Sequence, residues 1–309
     1  MTLAVPSVEA VDTPMRRTSR SLFARVTVFG GGTMGGGIAQ VTAMAGMPVT
    51  VVDIDDATCA KSQATVARSL ARVAKKKFET DEAKQKEWTT GVLSKIIFTS
   101  DSKAAVSNAE LVIEAITERI EAKTALWKAA DAAAPAHCVF ASNTSSLSID
   151  EQAAATKRAG KFGGLHFFSP VPMMKLVEVV KGKDTTPETH EALTAFVKKI
   201  GKAPVTCIDT KGFVVNRLLI PYMLESARLV ERGVASVEDV DTAMKLGAGY
   251  PMGPFTLCDS VGIDVIKLIT DKWHKEEPEN PLFTPVKLID EKVAAGKLGR
   301  KTGEGFYKY

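Results

Sequence analysis

Short apolar runs alternate with longer stretches of helical periodicity from Arg25 to about Asp209. Each run has five to seven residues and is rich in Val, Ile or Phe, as is typical of strands buried on both faces. The runs are RVTVF (25–29), PVTVVDI (48–54), KIIFT (95–99), ELVIEAI (110–116), CVFAS (138–142), GGLHFF (163–168), LVEVV (176–180) and APVTC (203–207). Helical stretches such as THEALTAFVKKIG, which ends at Gly201, lie between most of them. This alternation predicts a largely parallel sheet with helices on both faces.

Residues 55–94 interrupt the alternation, because they carry few strand signals. The stretch TVARSLARVAKKKF has strong helical periodicity, so we predict a helix–turn–helix excursion from the sheet. Its first helix ends in Lys75, Lys76 and Lys77. A helix dipole stabilises cations at its C-terminal end, so these lysines fit either a solvated helix end or a contact for an anionic ligand.

Helical periodicity dominates the chain from Lys211 onward. GFVVNRLLIPYMLESARLVERG has apolar residues at i, i+3, i+4 and i+7 and ends at Gly233. SVEDVDTAMKLG opens with a capping signal at Ser236 and ends at Gly247. We therefore predict an α/β domain over residues 24–209 and an all-α C-terminal domain over residues 210–309. Residues 1–23 belong to neither.

Length and composition limit the classes of protein that need to be considered. The 309 residues fit about two domains, and 45% hydrophobic with 25% charged residues excludes a disordered or collagen-like chain. The sequence has no run of 18 apolar residues that would predict a membrane span. A net charge of +4, without a basic stripe interleaved with aromatic residues, does not indicate a nucleic-acid-binding protein.

The cysteines and histidines predict neither disulfides nor a metal site. No CxxC pair is present, so the cysteines are interpreted as reduced, buried thiols. No two histidines have metal-ligand spacing on one helix face. The residues concerned are Cys59, Cys138, Cys207 and Cys258, together with His137, His166, His190 and His274.

A glycine-rich turn follows the first predicted strand. Gly30, Gly32 and Gly35 have the G-x-G-x-x-G spacing, and the turn opens a helix. Gly30 allows the tight turn, Gly32 the approach of a pyrophosphate, and Gly35 close helix–strand packing. Asp53 lies near the end of the second predicted strand, where a carboxylate binds ribose hydroxyls and repels a 2′-phosphate. These residues predict NAD in preference to NADP.

Two charged or titratable residues occupy otherwise apolar strands. His166 lies in GGLHFFSP and Glu178 in LVEVV. A lone strand histidine is usually a core residue, but a His–Glu pair explains both anomalies, since the carboxylate would orient the imidazole. His166 could then serve as the base that an alcohol dehydrogenase needs. FASNTSSLSI (140–149) follows a strand, and fits either a capped turn or a polar ligand site.

The N-terminal residues 1–23 contain Arg16, Arg17 and Arg20 among hydroxyl residues, as in a mitochondrial transit peptide. Glu9 and Asp12 argue against one, because transit peptides are poor in acidic residues. A disordered tail therefore stays open as the alternative. A matrix location is expected with a transit peptide, and a cytoplasmic one without it.

Several long motifs occur together in one order. They are GGGTMGGGIAQ, IEAITE, FASNTSSL, GLHFFSPVPMMKLVEV, GFVVNRLL, AMKLGAGYPMGPF and GRKTGEGFY. Over residues 24–309 the sequence resembles the NAD-dependent L-3-hydroxyacyl-CoA dehydrogenases of fatty-acid β-oxidation, above all the mitochondrial short- and medium-chain type. The resemblance implies a Rossmann-type domain with an excursion for coenzyme A, a C-terminal domain that pairs subunits into a homodimer, and NAD as cofactor.

The resemblance also implies roles for individual residues. His166 would be the base, Glu178 its orienting partner, and Ser145 and Asn216 would contact the reacting oxygen. Coenzyme A contacts are implied at Ser69, Lys76, Lys123 and Ser145. Cofactor contacts are implied at Gly30, Gly31, Gly32, Thr33, Met34, Gly35, Asp53, Glu118, Lys123, Ser145, Ser169 and Lys301. Ser169 stands where the family commonly has Asn, and its shorter side chain puts that contact in question.

Two competing interpretations remain at this stage. A related dehydrogenase acting on a free β-hydroxyacid would not need the lysine cluster. A non-catalytic structural protein on this fold, of the lambda-crystallin type, would not need the His166–Glu178 pair. Nucleic acid and integral membrane association are not expected.

Overall fold

A computed structural model describes residues 23–309, so the predicted tail or transit peptide lies outside the described residues except for Phe23. Eight strands form one sheet. They are β1 (Val26–Phe29), β2 (Val49–Val52), β3 (Ile96–Thr99), β4 (Leu111–Glu114), β5 (Val139–Ser142), β6 (Phe162–Phe167), β7 (Leu176–Lys181) and β8 (Ala203–Ile208). Each of the eight predicted apolar runs overlaps one of these strands, and β6, β7 and β8 each extend one residue beyond the predicted run.

The strand order is β3-β2-β1-β4-β5-β6-β7-β8. All neighbouring strands are parallel except β6 and β7, which are antiparallel. The carboxyl ends of β1 to β6 therefore meet at one edge, which is where ligands bind in open α/β sheets. The chain order reverses beside β1, which places the glycine-rich turn at the switch point.

Seven helices accompany the sheet in the described chain and confirm the α/β prediction. They are α1 (Thr33–Met44), α2 (Asp56–Phe78), α3 (Glu82–Leu93), α4 (Ser102–Val106), α5 (Ile120–Ala133), α6 (Ile149–Ala153) and α7 (Pro187–Lys199). The helices α2 and α3 are the predicted excursion. Asp55 and Asp81 cap their N-termini, and the Phe78 and Trp88 rings meet edge to face at 6.2 Å. Buried apolar clusters lie on both faces of the sheet.

The remaining chain is helical, as predicted. Its helices are α8 (Val215–Glu231), α9 (Val237–Gly247), α10 (Pro254–Val261), α11 (Ile263–Glu276) and α12 (Lys287–Ala294). The Ser236 side chain caps α9 by accepting the Asp239 amide, which confirms the capping signal. These helices share a third buried cluster that includes Phe255 and Trp273. Between residues 23 and 309, no helix combines the length and apolarity needed to cross a membrane.

The link from β8 to α8 is sharply turned. Gly212 has a φ of 73° and Phe213 a φ of 49°, so two successive residues are left-handed. A Cβ on Gly212 would lie 2.4 Å from the Trp273 ring, so both the conformation and the contact favour glycine here. The turn directs the N-terminus of α8 back toward β7 and the carboxyl edge of the sheet.

Candidate active site

A cavity of about 340 Å³ opens at the carboxyl ends of the central strands. The end of β6 and the loops after β4, β5 and β6 contribute most of its wall, and the first turns of α1, α5 and α8 complete it. The lining residues are Met34, Ala115, Ile116, Glu118, Lys123, Asn143, Ser145, His166, Phe167, Phe168, Ser169 and Asn216. Predicted catalytic and cofactor residues that are far apart in sequence therefore share one cavity.

His166 and Glu178 are paired directly across β6 and β7. The antiparallel register places both side chains on one face, with His166 Nδ1 2.6 Å from Glu178 Oε2. His166 is 6% exposed and packs beside the Phe168 and Phe213 rings at 4.5 and 5.6 Å. Within residues 23–309 nothing hydrogen bonds to Nε2, so this nitrogen is the one available to the cavity.

Glu178 also holds the start of α8. Its Oε1 accepts hydrogen bonds from the Val214 and Val215 amides at 3.1 and 2.8 Å, while its Oε2 is hydrogen-bonded to His166. Burial by itself would raise the pKa of Glu178, but the hydrogen bonds from His166 and the two amides outweigh it and lower the pKa. The carboxylate therefore stays ionised, and it fixes Asn216, in the first turn of α8, relative to His166.

The polar loop after β5 is organised by Glu118. Its Oε1 accepts the Ser145 and Ser146 amides at 3.0 and 3.2 Å and the Thr144 hydroxyl, while Oε2 lies 3.0 Å from Lys123 Nζ. Burial opposes ionisation of Glu118, but Lys123 and these donors prevail and lower its pKa. The loop of FASNTSSLSI is therefore a turn held by hydrogen bonds, and its Asn143 and Ser145 also line the cavity, so its role as a ligand site stays a prediction.

Sequence reasoning missed Glu114, Ser142 and Asn143. Glu114 is fully buried and accepts Lys123 Nζ at 2.5 Å and the Ser142 hydroxyl at 2.7 Å. Asn143 lines the cavity, and its Oδ1 accepts the Phe167 amide at 2.9 Å. A signal for Glu114 was present, because a carboxylate inside the apolar run ELVIEAI is the same anomaly that singled out Glu178.

The glycine-rich turn has the geometry of a dinucleotide site. Gly30 has a φ of 85°, and a Cβ on Gly35 would lie 1.8 Å from the Gly30 carbonyl oxygen. No side chain caps α1, whose N-cap residue is Gly32, so the amides of its first turn are free to bind an anion. The turn therefore fits a pyrophosphate, with Gly31, Gly32, Thr33 and Met34 around it.

Asp53 lies at the carboxyl end of β2, beside this turn. Its carboxylate accepts the Gly31 amide at 2.8 Å and the Ile54 amide at 2.9 Å. These bonds hold it beside the glycine turn, where a cofactor ribose would lie. The acceptor oxygens of this carboxylate and its negative charge fit the ribose hydroxyls of NAD, and a 2′-phosphate at this place would be repelled.

The face of α2 that carries Ser69 and Lys76 begins at the dinucleotide turn. Ser62, Ser69 and Lys76 are seven residues apart, so they share one helix face with about 10 Å between successive positions. Ser62 packs on Gly31, where a Cβ would meet its Oγ at 2.3 Å. Lys76 is exposed, whereas Lys77 lies over the Phe78 and Trp88 rings. Of the three consecutive lysines at residues 75–77, Lys77 is therefore less available to bind an anionic ligand than Lys76.

Lys301 is a predicted cofactor contact that lies neither in the cavity wall nor at the glycine-rich turn. Its Nζ lies 2.5 Å from Asp264 Oδ1 in the helical part, and it is absent from the cavity wall. Ser169, in contrast, lines the cavity. The cofactor role of Lys301 stays a prediction.

The four cysteines are free thiols, and Cys59, Cys138 and Cys258 are buried. Burial raises the pKa of the Cys138 thiol to about 12 and that of Cys207 to about 11. Across the described residues, no cluster of three His, Cys, Asp or Glu side chains could hold a metal ion.

Family models match nearly the whole chain. One, described as 3-hydroxyacyl-CoA dehydrogenase, NAD binding domain, matches residues 25–210. Another, described as 3-hydroxyacyl-CoA dehydrogenase, C-terminal domain, matches residues 212–309.

Individual proteins match over similar lengths. Hydroxyacyl-coenzyme A dehydrogenase, mitochondrial, of Sus scrofa is 51% identical over 99% of this chain and 97% of its own length. 3-hydroxybutyryl-CoA dehydrogenase of Mycobacterium tuberculosis is 42% identical over 92% of this chain and 98% of its own. The crystal structure of (S)-3-hydroxybutyryl-CoA dehydrogenase from Ralstonia eutropha superposes with a TM-score of 0.86 at 42% identity, covering 93% and 99% of the two chains.

Proposed function

The chain belongs to the 3-hydroxyacyl-CoA dehydrogenase family, and from this premise we propose how its own residues carry out the reaction. It is an NAD-dependent enzyme that oxidises 3-hydroxyacyl-CoA to 3-ketoacyl-CoA. The observation that carries the residue assignment is the buried His166–Glu178 pair, with one imidazole nitrogen left open to the cavity.

We propose that His166 is the general base. Because Glu178 accepts a hydrogen bond from the Nδ1–H group of His166, the neutral imidazole keeps its free lone pair on Nε2. That nitrogen takes the proton of the substrate 3-hydroxyl, and the ionised Glu178 stabilises the imidazolium that forms. The aromatic rings around His166 exclude water from the pair.

The bound nicotinamide supplies the acceptor for the hydride that leaves C3 of the substrate. We propose that Asp53 would hold the adenosine ribose of NAD and that the first turn of α1 would hold its pyrophosphate. Met34, Glu118 and Lys123, which line the cavity together with His166, would then hold the nicotinamide end. Ser169 is the proposed contact in place of the family's asparagine.

The substrate is proposed to enter from the other side of the cavity. Ser145, at the Glu118-braced loop, and Asn216, at the start of α8, each present a hydrogen-bonding side chain to the oxygens of the acyl group. Ser69 and Lys76, on one face of α2, are proposed to bind the phosphorylated end of coenzyme A.

An assay of NADH consumption at 340 nm tests this proposal. Acetoacetyl-CoA, with the activated acyl group, should be turned over rapidly, whereas acetoacetate without coenzyme A should react at least about a hundredfold more slowly. Equal rates on both compounds would contradict the coenzyme A site. No turnover of either compound would contradict the assigned active site.

We further propose a domain boundary near residue 209 and a homodimer that forms through residues 210–309. Nine of the sixteen exposed large apolar side chains of the described residues lie in that third of the chain, among them Leu218, Leu246 and Leu268. Exposed apolar surface at this density is typical of subunit contacts. Light scattering should give twice the chain mass of 33.1 kDa, and a monomer would contradict the dimer.

The compartment is proposed from the relatives' names. The relatives from Sus scrofa and Homo sapiens are named mitochondrial, while a relative from the bacterium Deinococcus radiodurans matches over a similar length. We propose the mitochondrial matrix, where a fusion of residues 1–23 to a fluorescent protein should be imported. A diffuse cytoplasmic signal would overturn this location.

A further inference from the structure

Glu114 is a fully buried carboxylate beside the cavity to which the proposed mechanism gives no role. It is 0% exposed, ends β4, and does not line the cavity. Its Oε1 accepts the Ile116 amide at 2.9 Å and Lys123 Nζ at 2.5 Å, and its Oε2 accepts the Ser142 hydroxyl at 2.7 Å. Every partner of the Glu114 carboxylate is a hydrogen-bond donor.

Lys123 is shared between two carboxylates. Its Nζ lies 2.5 Å from Glu114 and 3.0 Å from Glu118, and its side chain is 1% exposed. One ammonium and two carboxylates leave this triad of Glu114, Lys123 and Glu118 with a formal charge of −1. Two members of the triad, Lys123 and Glu118, form part of the cavity wall.

The nicotinamide has to lie in this cavity if Asp53 holds the ribose at β2 and α1 holds the pyrophosphate, because the rest of the dinucleotide then crosses toward β4 and β5. Nicotinamide carries a positive charge in NAD⁺ and none in NADH. A fixed negative charge beside it, screened poorly in a buried site, stabilises the oxidised form selectively.

We propose that Glu114 is a positioning residue that sets the charge of the cofactor site, so that the triad favours NAD⁺ over NADH. Without Glu114, Lys123 and Glu118 would neutralise each other and the preference would be lost. This inference rests on the proposed function, since it needs the nicotinamide in the cavity.

The test is the ratio of the dissociation constants for NAD⁺ and NADH, measured by calorimetry or by fluorescence on the full-length protein. Glu114→Gln keeps the shape of the side chain and removes its charge. Binding of NAD⁺ should weaken about tenfold relative to NADH. The ratio separates charge from structure, because a loop that is merely displaced would weaken both forms of the cofactor together.

Two matched controls sharpen the measurement. Ser142→Ala removes a hydrogen bond to the same carboxylate but leaves its charge, so the ratio should stay at the wild-type value. Asp131→Asn removes a carboxylate from a partly buried ion pair, with Arg158, at the far end of α5, and should also leave the ratio unchanged. An unchanged ratio in folded Glu114→Gln would overturn the proposal.

If Glu114→Gln fails to fold, Glu118→Gln removes the same charge from a side chain that is 36% exposed. The ratio should shift in the same direction, and an unchanged ratio would again overturn the proposal. Wild-type protein that binds neither NAD⁺ nor NADH would instead contradict the proposed function, so the two failures are distinguishable.

Discussion

Glu178→Gln should disable His166 while leaving the cofactor in place. Glutamine can still accept the Val214 and Val215 amides through its carbonyl oxygen. Its NH₂ group then faces His166 Nδ1, where the carboxylate oxygen lies 2.6 Å away in the wild type. Nδ1 must accept this hydrogen bond, so the imidazole proton moves to Nε2, which can no longer take the substrate proton.

The magnitude follows from the tautomer and from the bonds that lose their charge. General acid–base catalysis contributes about 10²- to 10⁴-fold, so we expect kcat to fall by about 10³-fold, or about 4 kcal/mol in the barrier. Three charge-assisted hydrogen bonds become neutral ones at about 1 kcal/mol each, which lowers the free energy of unfolding by about 3 kcal/mol.

Steady-state kinetics with NADH and acetoacetyl-CoA, together with NADH titration by fluorescence, measure both effects. The dissociation constant of NADH should stay within about threefold of the wild-type value, since Asp53 and α1 are untouched. The matched control is Glu188→Gln, the same change at an exposed site on α7. A near-normal kcat in Glu178→Gln, or a loss of activity explained entirely by weaker NADH binding, would show that Glu178 does not orient His166 for catalysis.

Three further predictions concern the cofactor, the substrate and pH. Asp53→Asn should raise the dissociation constant of NADH about tenfold. It should also reduce the enzyme's preference for NADH over NADPH, because the charge that repels a 2′-phosphate is gone. Fluorescence titration with both cofactors measures this preference, and an unchanged value would contradict the prediction. Lys76→Glu should raise the KM for acetoacetyl-CoA about tenfold with kcat little changed, whereas Lys198→Glu on α7 should change neither constant. If steady-state kinetics give the same KM for both variants, Lys76 does not bind coenzyme A. Because folding lowers the pKa of Glu178, its ionised carboxylate stabilises the folded protein fully above the usual glutamate pKa of about 4.3. This stabilisation is lost as the pH falls through the lower pKa of the folded state, so the melting temperatures of wild type and Glu178→Gln should converge at acidic pH. A difference in melting temperature that does not change with pH would contradict this.

The fold was predictable because the apolar runs are separated by clear helix and turn signals. Each predicted run overlaps a strand, and the excursion of residues 55–94 is a pair of helices. Strand ends were less predictable. PVTVVDI is a strand only over Val49–Val52, because Asp53 and Ile54 leave the sheet to form the loop beside the glycine turn.

The sequence predicted which residues belong to the site, but it could not predict the contacts between them. His166 and Glu178 stood out as polar residues in apolar strands, but their contact depends on the register of β6 and β7, which the intervening turn of residues 168–175 determines. Glu178 binding to the start of α8 joins segments 36 residues apart, and no local pattern encodes it. Lys77 could not be separated from Lys76, because its contact with Trp88 requires the packing of α2 on α3.

The role of His166 as the base is tested most directly by comparing wild type with His166→Gln in the oxidation of NADH by acetoacetyl-CoA. We expect rapid turnover by the wild type, and a loss of about 10²- to 10⁴-fold in kcat for the variant, whose NADH affinity should be kept. A variant with near-normal turnover would contradict the assignment of His166 as the base, and with it the mechanism proposed for this enzyme.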